Sequence, residues 1–195
     1  RESREVVDDV WQSTVPVWTF DNADDVRATW GSLDDVVMGG VSQSNVAVDN
    51  GELVFSGMLS VSNNGGFASV RSVDFPKPIN LGAFDGISFR VKADGKRYKF
   101  IIRCDGRWDG ISYCHSFNTV ANEWIDVKIP FNDFQTVFRA KTRPDSPPLD
   151  KTSISALQIM LSKFEYDGDL NPNFAPGNFE FRVQSIHAFK ENKTH

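Results

Sequence analysis

Apolar and polar side chains alternate along most of this chain, and the alternation is broken by short clusters of Gly, Asn, Asp and Pro. A period of two places successive side chains on opposite faces of a strand, so each alternating run predicts a strand with one apolar face. The clearest case is NVAVDNGELVF: Val46 and Val48, then Asn50-Gly51, then Leu53 and Phe55. Asn-Gly supplies the positive φ angles of a primed two-residue turn, so this stretch predicts a β-hairpin. GMLSV follows as a further strand and FASVRSV, from Phe67, as another. GISFRVKA sets Ile87, Phe89 and Val91 on one side and Ser88, Arg90 and Lys92 on the other. YKFIIRC and ISYCHSF flank the turn DGRWDG, and three more runs cover residues 124–131, 153–164 and 177–189. Eight or more strands, at intervals of roughly 8 to 15 residues, are the rhythm of a sandwich or barrel. Helical patterning is confined to residues 22–30, where Asn22 is a candidate N-cap, and to residues 131–137. The absence of βαβ alternation argues against a Rossmann domain.

Strand register carries the pattern further. With residues 105–110 as the loop between YKFIIRC and ISYCHSF, position 104 faces 111 and 102 faces 113. Phe100, Ile102, Cys104, Ile111, Tyr113 and His115 then share the apolar face, while Lys99, Ile101, Arg103, Ser112 and Cys114 share the other. The two sulfurs fall on opposite faces, which predicts no disulfide between them. Arg90 and Lys92 also point away from their apolar neighbours. Placed in one sheet with Lys99 and Arg103, they would gather four cations on one surface. Arg107 and Trp108 at the hairpin tip would extend it, as would Arg139, Lys141 and Arg143. Such a surface suits phosphates, RNA bases or an acidic protein partner. It equally suits a solvated sheet face with cross-strand charge pairs.

Composition bounds what this scaffold does. The 195 residues carry 40% hydrophobic and 24% charged side chains, with 16 Phe against 3 Met, which fits one aromatic, sheet-built core. The formal net charge of −5 disfavours bulk attraction to nucleic acid or anionic membranes, so any basic face must be local. No apolar run approaches the length of a membrane span. Two cysteines without a CxxC pair point away from structural zinc and toward a reducing compartment. The chain opens RESREVVDDVW, without Met, and reads as part of a longer protein. The strand pattern predicts an N-terminal extension over 1–17, one domain over 18–190 and a tail over 191–195, monomeric as an isolated domain.

The chemical motifs are weak. Gly39-Gly40 in DDVVMGGVSQS runs into VSQSNVAV, which is strand-like and lacks the Lys of a P-loop, so a tight turn is expected instead of a nucleotide loop. DGRWDG offers Asp105 and Asp109, and DGDLNP offers Asp167, Asp169 and Asn171, but each departs from the calcium-loop rule at two positions. Both read as polar turns. His115, His187 and His195 have no nucleophile elbow to serve, and Cys114 lies on the strand face opposite His115. No catalytic residue, metal ligand or cofactor is expected.

The blocks WGSLDDVVMGGVSQS, FSGMLSVSNNGGFASVRS, YKFIIR, WIDVKIPFNDF and GNFEFRVQSIHAF together resemble the complex I intermediate-associated protein family, over residues 18–189. The resemblance implies an all-β, galactose-binding-like jelly-roll β-sandwich with one or two short helices, related to carbohydrate-binding modules. Asp35, Met38, Gly39, Gly40, Ser42, Gly65, Gly66, Phe67 and Arg71 match the family's motif positions, and Arg71 is expected to pair with Asp34 or Asp35. The wording is closer to the plastid type, which accompanies short-chain-dehydrogenase-like chloroplast proteins. One member of that type supports translation of the photosystem II D1 messenger RNA. The resemblance thus implies a non-catalytic binding domain of an organellar biogenesis factor, contacting RNA or protein in the chloroplast. The alternatives are a mitochondrial complex I assembly factor and a carbohydrate-binding module with Trp108 and Tyr113 as the aromatic platform.

Overall fold

The computed structural model describes residues 14–104 and 110–191. Among the described residues thirteen strands follow in order: β1 (Thr14–Trp18), β2 (Trp30–Ser32), β3 (Gln43–Asp49), β4 (Glu52–Leu59), β5 (Phe67–Ser72), β6 (Gly86–Lys92), β7 (Arg97–Arg103), β8 (Ser112–Asn118), β9 (Trp124–Pro130), β10 (Gln135–Phe138), β11 (Lys141–Thr142), β12 (Ala156–Ser162) and β13 (Gly177–Phe189). One short helix, α1 (Ala23–Thr29), precedes β2. Asn22 caps it as expected: its side-chain oxygen accepts from the N–H groups of Asp24 and Asp25 at 2.9 and 3.2 Å.

The strands form two antiparallel sheets. The first has the order β3-β4-β13-β6-β9, with β1 also on β13; the second has the order β11-β10-β8-β7-β12-β5-β2. Inner faces interdigitate through aromatic rings, as the Phe-rich composition requires. Phe89 of β6 stacks on Phe100 of β7 at 5.0 Å, and Tyr98 meets Phe181 at 4.8 Å. These contacts cross from one sheet to the other. Val48 faces Leu53 around Asn50 and Gly51, both at positive φ, so the Asn-Gly hairpin forms as its residues dictate. Ile102 faces Tyr113 in the β7–β8 pair, and the two cysteines are not bonded to each other: Cys104 packs against the main core and Cys114 in a small cluster on the other face.

Three expectations need correcting. GMLSV is not a separate strand, because β4 runs unbroken to Leu59. Residues 131–137 make only a single 3-10 turn, Phe131–Asp133, and then β10 pairs with β8. Thr136 and Val137 are β-branched and Val137 is buried in a small cluster with Ile101 and Cys114, so completing the sheet outweighs the helical periodicity. Residues 14–17, read as extension, enter the first sheet as β1, where Pro16 sits at a register irregularity.

Candidate functional site

The family-motif residues converge on one buried carboxylate. Asp35 opens a 3-10 turn (Asp35–Met38) and is 1% exposed. Its Oδ1 accepts from the Ser42 N–H at 3.0 Å. Its Oδ2 accepts from the Ser42 hydroxyl at 2.7 Å, the Gly66 N–H at 2.7 Å and the Phe67 N–H at 3.3 Å. Asp34 makes the parallel link, accepting from the Ser44 N–H at 2.9 Å, the Ser44 hydroxyl at 2.7 Å and the Ser69 N–H at 3.1 Å. Two adjacent carboxylates therefore clamp the start of β3 to the start of β5. Backbone N–H donors satisfy each one, as buried polar groups demand.

One glycine of each pair is explained by the same carboxylate. Gly39 ends the 3-10 turn at φ +88°, where an L side chain is strained. A Cβ on Gly40 would lie 2.4 Å from Asp35 Cγ, and one on Gly65 would lie 2.5 Å from Asp35 Oδ2. Both positions must be bare for the carboxylate to sit where it does. Gly39 and Gly40 thus form the tight turn expected of them, followed by strand β3. Arg71 is not the tie between the blocks. It is buried on β5, with Asp74 at 3.8 Å. Serine and main-chain donors reach the acidic pair at shorter range.

The cations expected on one surface are divided. Arg90 and Lys92 stand on β6, on the outer face of the first sheet, with Arg90 at 3.8 Å from Asp126. Lys99 and Arg103 stand on β7, on the outer face of the second. The two pairs point away from each other across the full thickness of the sandwich. Lys99 is also covered. It is 8% exposed, donates to the carbonyls of Phe164 and Glu165 at 2.7 and 2.6 Å, and lies 4.7 Å from the Tyr166 ring centroid. Burial pushes its ammonium pKa down, opposed by Cys114 and Glu165. Arg103 reaches Gln158 Oε1 at 3.2 Å. Arg139, Lys141 and Arg143 are exposed around the β10–β11 turn, where Asp167 accepts from the Thr142 N–H and hydroxyl at 2.9 and 2.8 Å. Arg107, Trp108, Asp105, Asp109 and His195 lie outside the described residues.

His187, His115 and Cys114 are engaged within the fold. His187 holds Ser185 Oγ at 2.7 Å and Thr14 Oγ1 at 3.1 Å through its two ring nitrogens, and burial lowers its pKa. His115 meets the Asp133 carbonyl at 3.3 Å and packs near Phe134. Burial pushes the Cys114 thiol up. Asn171 donates to the carbonyls of Arg97 and Ser162, so DGDLNP is a structural turn. Among the described residues no three His, Cys, Asp or Glu side chains are grouped to hold a metal ion, and no helix is long and apolar enough to cross a membrane. A cleft of about 580 Å³ beside the 3-10 turn at Phe131 is lined by Asp85, Phe131, Asp133, Phe134, Leu149 and Lys151. Two of its charged side chains are bonded to main chain: Asp85 accepts from the Glu191 N–H and Lys151 donates to the Phe84 carbonyl, both at 2.7 Å.

The sequence reading missed the segment that covers Lys99. Phe164 bridges to Leu170, and Asp167 and Gly168 between them both have positive φ. The Asp-Gly pair is a hairpin signal as strong as Asn50-Gly51.

Comparison with known proteins agrees with this architecture. The Family 11 carbohydrate-binding module of the cellulosomal cellulase Lic26A-Cel5E of Clostridium thermocellum superposes with a TM-score of 0.61, at 18% identity, over 93% of this chain and 97% of that one. The same family's module from that organism, in complex with a β-1,3-1,4-mixed-linked tetrasaccharide, gives 0.62 at 17% identity, over 91% and 95%. The likeness establishes the galactose-binding-like jelly-roll fold. In sequence, an uncharacterised protein of Schizosaccharomyces pombe is 29% identical over 177 residues, covering 83% of this chain and 78% of its own length. The family model of complex I intermediate-associated protein 30 matches residues 18–183, which include the whole Asp35 clamp. The chain therefore belongs to the complex I intermediate-associated protein 30 family.

Proposed function

We propose that this domain is a non-catalytic binding module of an organellar assembly factor and that it contacts protein. The observation that carries the reading is the division of the cations. Lys99 is buried under its own loop and Arg90 and Lys92 face the other way, so the phosphate-tracking surface that RNA binding calls for is not assembled from them. The family's association with complex I assembly supports a protein partner. The engagement of His115, His187 and Cys114, and of Asp85 and Lys151 in the cleft, supports a role without chemistry.

The exposed turn bearing Arg139, Lys141 and Arg143 favours RNA contact as the second reading, the one that would place the domain in chloroplast translation of the D1 message. One experiment separates the two. The full chain is resolved from a native organelle extract on a non-denaturing gel, with and without RNase. A protein partner predicts migration in a large complex that RNase leaves intact and that survives Arg139→Ala, Lys141→Ala and Arg143→Ala together. Release by RNase, or loss in the triple variant with steep salt sensitivity, would move the reading to RNA.

A further inference from the structure

We propose that the edge of β9 takes up an extended segment of a partner protein as a further antiparallel strand of the first sheet. The inference rests on the binding-module reading and names the surface and the form of the partner. Among the described residues β9 is the last strand of its sheet and is paired only with β6. Pro130 has no N–H, and the Phe131 N–H reaches the Asp85 carbonyl at 2.9 Å, which fixes the phase of the ladder. Ile125, Val127 and Ile129 turn their main-chain groups to β6. Asp126 and Lys128 turn theirs outward, and no hydrogen bond from a described residue meets them. The far edge of the same sheet is tied back to its own chain: the Ser44 N–H of β3 donates to Asp34 and the Ser44 carbonyl accepts from the Ser32 hydroxyl, both at 2.9 Å. In the second sheet the edge strands β11 and β2 have only two and three residues. The main-chain groups of β9 therefore call for a strand, because a row of in-line N–H and C=O groups is what another strand's edge pairs with.

The fold leaves room for that strand. Phe89 of β6 packs on Phe100 of β7 and on Phe117 of β8, so β9, one strand further out, stands beside β8 while the second sheet runs on as β10 and β11. A strand added to β9 would lie above β10, and the cleft lined by Phe131, Phe134 and Thr136 opens at its Pro130 end. A second copy is the poorer fit, since two copies joined edge to edge through β9 would drive their β10–β11 extensions into each other. The charges of β9 define the segment further. Lys128 and Pro130 guard the edge against indiscriminate pairing, so a partner must answer them. Asp126 has Arg90 at 3.8 Å on its β6 side, and a base on the other side continues the alternation. Lys128 faces Ser88 across the ladder and its ammonium lies 4.4 Å from the Phe189 ring centroid, so an acid opposite supplies a counter-charge. Between them, opposite buried Val127, the side chain must be apolar. Read from its own N-terminus, the antiparallel segment carries acid, apolar, base.

The test reads single amides over residues 124–130 by hydrogen exchange and mass spectrometry, in the full chain free and in the complex isolated from native organelle extract. In the free chain the Asp126 and Lys128 amides should exchange at least about tenfold faster than those of Val127 and Ile129. In the complex they should slow by about tenfold or more, with Val127 little changed. Lys128→Pro removes an outward donor and no bond to β6, so it should melt near wild type and weaken the complex about tenfold or more. Lys128→Thr keeps the N–H and should weaken it less. A photo-crosslinking side chain at exposed Glu123, beside the strand's first residue, should capture one partner segment with the acid, apolar, base pattern. If Lys128→Pro melts early, exchange and crosslinking decide without it. The proposal is overturned if the two amides are already protected in the free chain, or if a normally melting Lys128→Pro binds as wild type does. It is also overturned by adducts to nucleic acid, to lipid, to a second copy or to a segment without that pattern. A protein complex that leaves both amides fast would overturn this surface while leaving the binding-module reading standing; no protein complex at all would end both.

Discussion

Removing the Asp35 carboxylate tests the central claim about the motif residues. Asp35→Ala deletes the acceptor for three backbone N–H groups and one hydroxyl, all at a site that is 1% exposed. The Ser42 hydroxyl has a substitute in the Ser60 carbonyl at 3.1 Å, and the Phe67 bond is long at 3.3 Å. The cost is therefore set by the N–H groups of Ser42 and Gly66. Each loses a charge-assisted bond and stays buried, at about 1.5–3 kcal/mol apiece, so the substitution costs about 3–6 kcal/mol. Against a typical domain stability of about 5–15 kcal/mol, that removes about a fifth or more. For a chain of this size the melting temperature falls by about 2–4 °C per kcal/mol, or about 6–24 °C in all. Asp35→Asn keeps the shape but turns one acceptor into a donor. Its best orientation puts the amide NH₂ at the Oδ1 position, facing only the Ser42 N–H, so about 2 kcal/mol is lost.

Gly40→Ala sharpens the test into a double-mutant cycle, read by urea and thermal unfolding. Alone, the new methyl meets Asp35 Cγ at 2.4 Å and displaces the carboxylate. In the Asp35→Ala background the contacts to Cγ and Oδ1 at 2.4 and 2.5 Å are gone and only the one to Cβ at 2.9 Å remains, so the pair should cost less than the sum of the singles by about 1 kcal/mol or more. An Asp35→Ala protein within about 1 kcal/mol of wild type, or strict additivity in the cycle, would refute the carboxylate as the hub.

Three further outcomes follow from individual side chains. Lys99→Met should loosen the loop that covers it, because the carbonyls of Phe164 and Glu165 lose their donor; faster amide hydrogen exchange over 163–171, with the rest of the fold protected, is the expected reading. Burial lowers the His187 pKa below the ordinary imidazole value of about 6.5, so the unfolded chain binds its proton more readily; this stabilisation is whole above that pH, is lost as pH falls through the folded pKa, and should be absent from the pH–stability curve of His187→Gln. Cys104 is partly exposed and Cys114 buried with its thiol pushed up, so a thiol reagent should modify Cys104 first and Cys114 only on unfolding; equal rates would contradict the β7–β8 register.

What the sequence made legible was set by rules of short range. Period-two alternation gave the inner face of each strand, and Asn50-Gly51 and Asn22 declared their hairpin and cap through their own side-chain and backbone preferences. Register between β7 and β8 followed from one loop length, which sufficed to separate the two sulfurs. The assignment of strands to sheets lies beyond such rules. Alternation says that Arg90 and Lys99 both point away from the core, but in a sandwich that direction reverses from one sheet to the other. Phe89 and Phe100 belong to consecutive strands, and their rings stack at 5.0 Å because β6 and β7 face each other across the core. Two outward faces that look continuous in sequence are thus opposite surfaces in space. Arg71 shows the same limit in a different form. A charge suggests a charged partner, yet Asp34 and Asp35 are answered by main-chain N–H groups that no sequence pattern marks as donors. The bare positions at Gly40 and Gly65 were the readable trace of that arrangement, since each leaves room for the carboxylate that both loops bind.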